Sequence, residues 1–343
     1  METIASRTAA MAGALVFALG IAGSNEPALA QQTLRFHTFV PPVSTSYKNY
    51  VGWLKGIEQK SNGKLKIETY GSNQLGGKPE DLYNQAKDGV VDIVYTLPGY
   101  TPGVFPRIDA FELPFVGGSS VATSQALSEF APKWLKEEFK DVKTLVFHAP
   151  TAPLIHMKGK PIRTLEDLQG RKLRTPTAIS SSMVTALGAN PVGIAGANIT
   201  EAMLRGVVEG MIFPWAIANA NKVIDAAETH TIALTHNSVL MGVMNKRKYD
   251  GLPADLKKII DDNSGMPIAK QFGEQWARDD EPAIARAKQL GHEIIELPAA
   301  ERARWKAKAE LVVKAWVDEM TKKGHPGQQL VDDGRALVAK YSR

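Results

Sequence analysis

From residue 31 onward, short β-rich runs alternate with stretches whose apolar residues recur every three or four positions. "TLRFHTFV" (33–40) alternates in polarity and predicts a first strand. After it, Tyr47, Tyr50, Trp53, Leu54 and Ile57 fall at helical spacing, and Ser44 or Ser46 can cap the start. "LKIETYG" (65–71) predicts a second strand, "KPEDLYNQAKDGV" (78–90) a short helix closed by Gly89, and "VDIVYTL" (91–97) a third strand. Strand, helix, strand, helix, strand is the α/β pattern with a parallel sheet.

The pattern then restarts. "TLVFHAP" (144–150) and "PLIHMKG" (153–159) predict strands, and "TLEDLQG" (164–170) a short helix. Next come a helix at "SSSMVTALGA" (180–189), a strand at "NPVGI" (190–194), a helix at "NITEAMLRGV" (198–207) and a strand at "VEGMIFPW" (208–215). "VLMGVMN" (239–245) adds another strand. From Ala254 to Arg343 the chain reads as almost wholly helical, and Pro267 and Pro282 are the only obvious breaks between Ala254 and Gly291. No short repeat of fixed period appears. Residues 31–343 exceed what one core usually organises, so two lobes are expected.

The first thirty residues have a different character. An early Arg7 precedes an apolar run from Ala9 to Ala22, and the block ends in Ala28-Leu29-Ala30. The run is shorter than the roughly 20 residues a spanning helix needs. The pattern predicts an export signal cleaved before Gln31, and a periplasmic destination. The chain has no cysteine, which excludes disulfides, thiolate nucleophiles and thiolate metal sites. Removing Glu2, Arg7 and Glu26 with the signal raises the formal charge by one from +5. The basic residues are scattered as in "KSNGKLK" and "NKRK", not gathered into the stripe that nucleic-acid binding requires. The seven histidines show no metal-ligand spacing, and the chain carries no G-x-S-x-G elbow, phosphate loop or dinucleotide fingerprint. The chemistry points to a binder with no cofactor and no catalytic residues, whose ligand sits in a cleft at the carboxyl ends of strands.

"GRKLRTPT" (170–177) holds the leading candidate for that site. Pro176 biases Thr175 toward extended geometry, so Arg174 belongs on or just after a strand. A guanidinium at a strand end can grip a ligand carboxylate or serve as half of a structural ion pair.

In the order and spacing of several blocks, nearly all of residues 31–343 resembles the substrate-binding proteins of tripartite ATP-independent periplasmic (TRAP) transporters, the dicarboxylate-binding-protein-like group. The blocks are "YGSNQLGGKPEDLYNQAKDGVVDIVY" (70–95), "PIRTLEDLQGRKLRTPT" (161–177), "LGANPV" (187–192), "AMLRGVVEG" (202–210) and "NKRKYDGLPADLKKII" (245–260). The resemblance implies a two-lobe α/β periplasmic binding fold with a hinge and a long helix spanning both lobes. Lobe I would hold 31–151 and 240–279, and lobe II 152–239 and 280–343. It further implies an organic acid anion as ligand and the small and large membrane subunits of the transporter as partners. The arginine of the family's G-x-K-x-R block, which salt-bridges the ligand carboxylate, falls here on Arg174. Its planar fork suits a carboxylate better than a lysine does.

Three polar family positions are apolar here. Phe213 stands where an asparagine assists the carboxylate, residues near Leu154 replace a second arginine, and Leu97 replaces an acidic residue. Together they favour an aromatic monocarboxylate over a sugar acid or dicarboxylate. Receptors for aliphatic keto or hydroxy acids, and an exported enzyme acting on organic acids, are the alternatives. Phe213 and Trp215 lie two apart and face the same way if the segment is extended, which makes both candidate pocket walls. His156 sits near the lost arginine, and could bond a ligand or be satisfied at a lobe boundary. His37 and Phe39 at the end of the first strand, and Tyr95 and Thr96 at the end of the third, complete the candidates.

Overall fold

A computed structural model describes residues 31–194, 199–232 and 236–342. The chain begins with strand β1 (Gln32–Thr38), helix α1 (Thr45–Lys60), β2 (Leu65–Tyr70), α2 (Leu82–Asp88) and β3 (Ile93–Thr96). The Ser44 hydroxyl accepts a bond from Tyr47 N at the start of α1, and all five aromatic and aliphatic residues of the predicted stripe are buried. Gly89 closes α2 in the left-handed conformation, with φ 83°. Helix α3 (Ser120–Trp134) follows and leads to β4 (Val142–His148).

The second group comprises β5 (Leu154–Met157), β6 (Lys172–Thr175), α4 (Ala178–Ala186), β7 (Asn190–Gly193), α5 (Ile199–Leu204), β8 (Gly210–Phe213), α6 (Trp215–Ala220), α7 (Val223–Ala226) and β9 (Thr229–Ile232). The chain then returns through β10 (Leu240–Asn245), α8 (Lys246–Asp250), α9 (Ala254–Asp262) and α10 (Met266–Gln289). It finishes with β11 (Glu293–Glu296), α11 (Ala299–Lys322) and α12 (Gly327–Tyr341).

These strands form two separate sheets. The first has the order β2-β1-β3-β10-β4 and the second β11-β9-β5-β8-β6-β7. In the first, β1, β2 and β3 are parallel, as the alternating pattern requires, and β10 enters antiparallel between β3 and β4. In the second, β6 runs parallel to both β7 and β8. The chain passes from the first sheet to the second between His148 and Leu154 and back between Ile232 and Leu240. Helix α10 touches both cores: Phe272 and Trp276 pack with residues of the first sheet, and Ala283 and Ala287 with residues of the second.

The helical reading of the C-terminal part needs three corrections. Residues 254–291 form two helices, because Gly265 at φ 71° breaks the chain and donates its N–H to Leu145 O at 2.7 Å. Pro267 sits in the first turn of α10, where its missing N–H costs nothing. Residues 293–296 are an edge strand beside β9, an element the pattern also missed. The grouping of 280–343 with the second half does not describe α12. Leu330, Val331 and Val338 are buried with α3 and the first sheet, as are Val313, Trp316 and Met320 of α11.

Candidate functional site

Between the sheets lies a cavity of about 150 Å³, lined mainly by apolar side chains that include Phe39, Leu97, Ile212, Phe213, Ile217 and Trp276. Among the described residues, Arg174 is the one charged side chain of the lining. The local sequence puts it there. β6 ends at Thr175, Pro176 keeps the chain extended, and the Thr177 hydroxyl caps α4 by accepting from Ser180 N. Leu173, on the opposite side of the strand, packs into the core beneath α4.

Arg174 is only 1% exposed. Its Nε donates to Ile194 O at 2.8 Å, and its guanidinium carbon lies 4.2 Å from the centroid of the Phe213 ring. The Tyr100 hydroxyl hydrogen-bonds the same group and favours its charge, whereas burial pulls its pKa down to about 10. The group remains a cation at neutral pH. Nη1 is buried without a hydrogen-bond partner, and among the described residues no carboxylate pairs with the side chain. The internal residues outside the description, 195–198 and 233–235, contain no Asp or Glu. The reading of Arg174 as half of an internal salt bridge therefore has no partner to support it. The ring face of Phe213 steadies the cation without neutralising it, worth about 0.5–2 kcal/mol.

Phe39 and Tyr95 also line the cavity. Tyr95 ends a chain of polar contacts whose direction is set by its first member. The Trp276 indole can only donate, and it does so to His148 Nδ1 at 3.2 Å. His148 Nε2 then carries the proton and donates to the Tyr50 hydroxyl. Tyr50 is left to direct its own proton toward the adjacent Tyr95 oxygen. Beyond Tyr50, the Tyr95 hydroxyl has no hydrogen-bond partner among the described residues.

Four of the expected site residues lie elsewhere. Trp215 does not line the cavity, because β8 stops at Phe213 and Pro214 opens α6, so the two-residue alternation ends between them. The indole packs against His156 and His230 instead. His156 is fully buried and both its nitrogens are engaged. Its Nε2 donates to Phe213 O at 3.1 Å, so Nδ1 accepts from His230 Nδ1 at 2.7 Å, and His230 Nε2 accepts from His292 Nδ1 at 3.1 Å. Burial lowers the pKa of His156 to about 4 and of His230 to about 3, which keeps both neutral in this relay. His37 supports a loop: its Nε2 accepts from Leu75 N at 3.2 Å and its Nδ1 donates to Gln85 Oε1 at 2.8 Å. Thr96 turns away from the cavity, with its hydroxyl toward Pro79 O.

Tyr100, Asn73, His236 and Trp276 belong to the lining and escaped the sequence reading. Asn73 stands at φ 55° in the turn after β2, a conformation its side chain tolerates. His236 lies just before β10, is 4% exposed, and has no hydrogen bond to a described residue at either ring nitrogen. Burial draws its pKa down to about 4. No group of three His, Asp or Glu among the described residues is arranged to hold a metal ion. No described helix is long and apolar enough to cross a membrane.

Two α/β sheets with a cation-bearing cavity between them define a solute-binding architecture. The family model for bacterial extracellular solute-binding proteins, family 7, matches residues 36–320, and the chain belongs to this family of TRAP solute-binding receptors. It is similar to a solved TRAP solute-binding protein from Rhodoferax ferrireducens in complex with copurified benzoate. The identity is 39% over 90% of this chain and 98% of that one, with a TM-score of 0.88. A marine metagenome TRAP protein specific for aromatic acids, solved with 3-hydroxybenzoate, is 38% identical over 92% of this chain and 100% of that one, with a TM-score of 0.89. The C4-dicarboxylate-binding periplasmic protein DctP of Rhodobacter capsulatus is 27% identical over 92% of this chain and 93% of its own length.

Proposed function

We propose that this receptor captures an aromatic monocarboxylate, with the Arg174 fork on the carboxylate and the ring enclosed by Phe39, Phe213, Ile217 and Trp276. One observation carries the reading: a fully buried cation without an internal counter-charge faces an apolar cavity. The similar proteins solved with benzoate and 3-hydroxybenzoate support it. A cavity of about 150 Å³ lined by apolar groups is large enough to admit a benzene ring.

The magnitudes agree. Micromolar affinity needs about 8 kcal/mol. Each hydrogen bond to a charged group nets roughly 1.5–3 kcal/mol, so the arginine alone falls short. Enclosing about 150 Å² of aromatic surface adds on the order of 4 kcal/mol. A dicarboxylate, the ligand in the name of the Rhodobacter relative, would leave its second charge unpaired, because the lining offers one cation.

In this reading the export signal is removed before Gln31. The first sheet with its helices and the second sheet with its helices act as two lobes that close on the ligand. The loaded protein then delivers it to the small and large membrane subunits of the transporter, which supply the energy from an ion gradient. The chain itself performs no covalent step. A thermal-shift panel of benzoates, cinnamates, aliphatic keto and hydroxy acids and C4 diacids tests the assignment, because a true ligand raises Tm by mass action. Preference for the diacids would overturn the aromatic reading. Turnover of a tight ligand, followed by mass spectrometry, would make the protein an enzyme.

A further inference from the structure

Glu112 joins the two halves of the molecule without lining the cavity. It ends the short 3₁₀-helix Ile108–Glu112, whose Ile108, Ala110 and Phe111 are buried in the core of the first sheet. The carboxyl is 2% exposed, and among the described residues no cation pairs with it. Hydrogen bonds hold it instead, as a buried polar group requires. Val239 N donates to Glu112 Oε1 at 3.2 Å, and the Thr177 side chain hydrogen-bonds the same carboxyl.

The two bonds go to different halves. Val239 is buried with the first core. Thr177 caps α4, whose Met183 and Val184 are buried in a core of the second sheet. The single Thr177 hydroxyl proton has two acceptors in reach, Ser180 Oγ at 3.2 Å and the Glu112 carboxyl. Ser180 Oγ already accepts from Thr177 N at 3.0 Å and donates to Thr177 O at 2.8 Å, so it is satisfied without that proton. A carboxylate is also the stronger acceptor. Gly99 permits the approach: a Cβ there would meet Thr177 Cγ2 at 2.6 Å and Glu112 Oε1 at 3.3 Å. The neighbouring Tyr100 makes the companion bond across the same seam, to Arg174.

We propose that Glu112 is a positioning residue for the arginine site, which bonds Thr177 across the cleft, holds the end of the Arg174 strand against the first half, and so slows the escape of a bound carboxylate. Only Thr175 and Pro176 separate Arg174 from Thr177, and the fixed ring of Pro176 leaves that link little slack. The inference rests on the two-lobe carboxylate-binding reading above and adds to it a residue that does not touch the ligand. The competing role is purely structural: Glu112 would serve Val239 N within the first half, and Thr177 would only cap α4.

Titration calorimetry and stopped-flow dissociation of benzoate from the mature chain separate the two roles. Thr177→Asp keeps a good helix cap and leaves Val239 N bonded, but sets a second carboxylate against Glu112. It is expected to weaken benzoate binding about tenfold or more, with koff carrying the loss and kon within about twofold. A glutamine amide can accept from Val239 N and donate to Thr177 Oγ1, so Glu112→Gln alone should stay within about threefold of wild type. Added to Thr177→Asp, it should restore affinity to within about threefold, because the amide donates to the new carboxylate. Glu112→Ala removes both bonds and should cost about tenfold; should it fail to fold, the Thr177→Asp pair still decides. Wild-type affinity in Thr177→Asp, or a loss that Glu112→Gln does not repair, would overturn the proposal and leave the arginine site intact. Failure of benzoate to bind the wild-type protein would overturn the aromatic-acid reading and this inference with it.

Discussion

Replacing Arg174 with methionine should move stability and affinity in opposite directions. The side chain is buried to 1% exposure, its Nη1 has no partner, and desolvation is the largest influence on its ionisation. In the empty protein the charge is therefore a liability that a similarly shaped apolar residue relieves. Replacing buried ionic groups with apolar ones of similar volume is neutral or stabilising by about 1–4 kcal/mol. The lost bond to Ile194 O and the contact with Phe213 offset part of that gain, at roughly 1 kcal/mol each. In the complex the same substitution strands a ligand carboxylate in an apolar cavity. Removing one partner of a buried pair costs about 3–5 kcal/mol, or roughly two to three and a half orders of magnitude in Kd. Differential scanning calorimetry of the empty protein and titration calorimetry with benzoate read the two effects separately. The expected pair is an unchanged or higher Tm with affinity lowered at least a hundredfold. A Tm lowered by several degrees with near-normal affinity would make Arg174 structural and refute the reasoning.

Gly99→Ala should weaken ligand binding about tenfold, because an added Cβ would sit 2.6 Å from Thr177 Cγ2, across the seam between the turn after β3 and the start of α4; wild-type affinity in calorimetry would show that this seam gives freely. Phe213→Leu should lower affinity for benzoate by about tenfold, while Trp215→Phe leaves it within about twofold, because only the first faces the cavity. Equal losses would restore the side-by-side placement that the structure denies. Thermal stability should fall as pH rises from about 6.5 to 8.5, because burial raises the carboxyl pKa of Glu138 to about 7 and pushes those of Asp109 and Glu112 upward too. These groups are protonated in the fold but ionised in the unfolded chain, so their contribution is present at low pH and is lost as pH climbs through the folded values. The buried histidines have lowered values and act in the opposite sense, but their window closes above the unfolded pKa of about 6.5. Glu112→Gln should flatten the decline; an unaltered pH profile in that variant would clear Glu112 of responsibility.

Regular elements with strong periodicity were legible in the chain. The α1 stripe, the three parallel strands of the first sheet and the strand carrying Arg174 all follow local patterns that tertiary contacts reinforce. What failed depends on contacts that a local pattern does not encode. Strand β11 is a four-residue edge beside β9, too short to announce itself within a helical stretch. The break at Gly265 is invisible until Leu145 supplies an acceptor for its N–H. At the site, Arg174, Phe213, Phe39 and Tyr95 could be found because each stands at or near a strand's carboxyl end. Trp215 was misplaced by carrying a strand's alternation through Pro214 into a helix. His156 and His37 share their neighbourhood with the site, yet their nitrogens are taken by Phe213 O, His230, Gln85 and Leu75. Asn73 and His236 lie in irregular segments, and only the folded chain places each of them on the wall of the cavity. The Asn-containing turn "YGSNQLGG" offered a hint, since its bend follows directly from a strand end.

The most direct measurement is a crystal structure of the mature protein with a bound hydroxybenzoate. The account predicts carboxylate oxygens about 2.7–2.9 Å from the Arg174 guanidinium, with the ring between Phe213 and the first sheet. A carboxylate seated on any other group, with Arg174 still bonded only to Ile194 O and Tyr100, would contradict it.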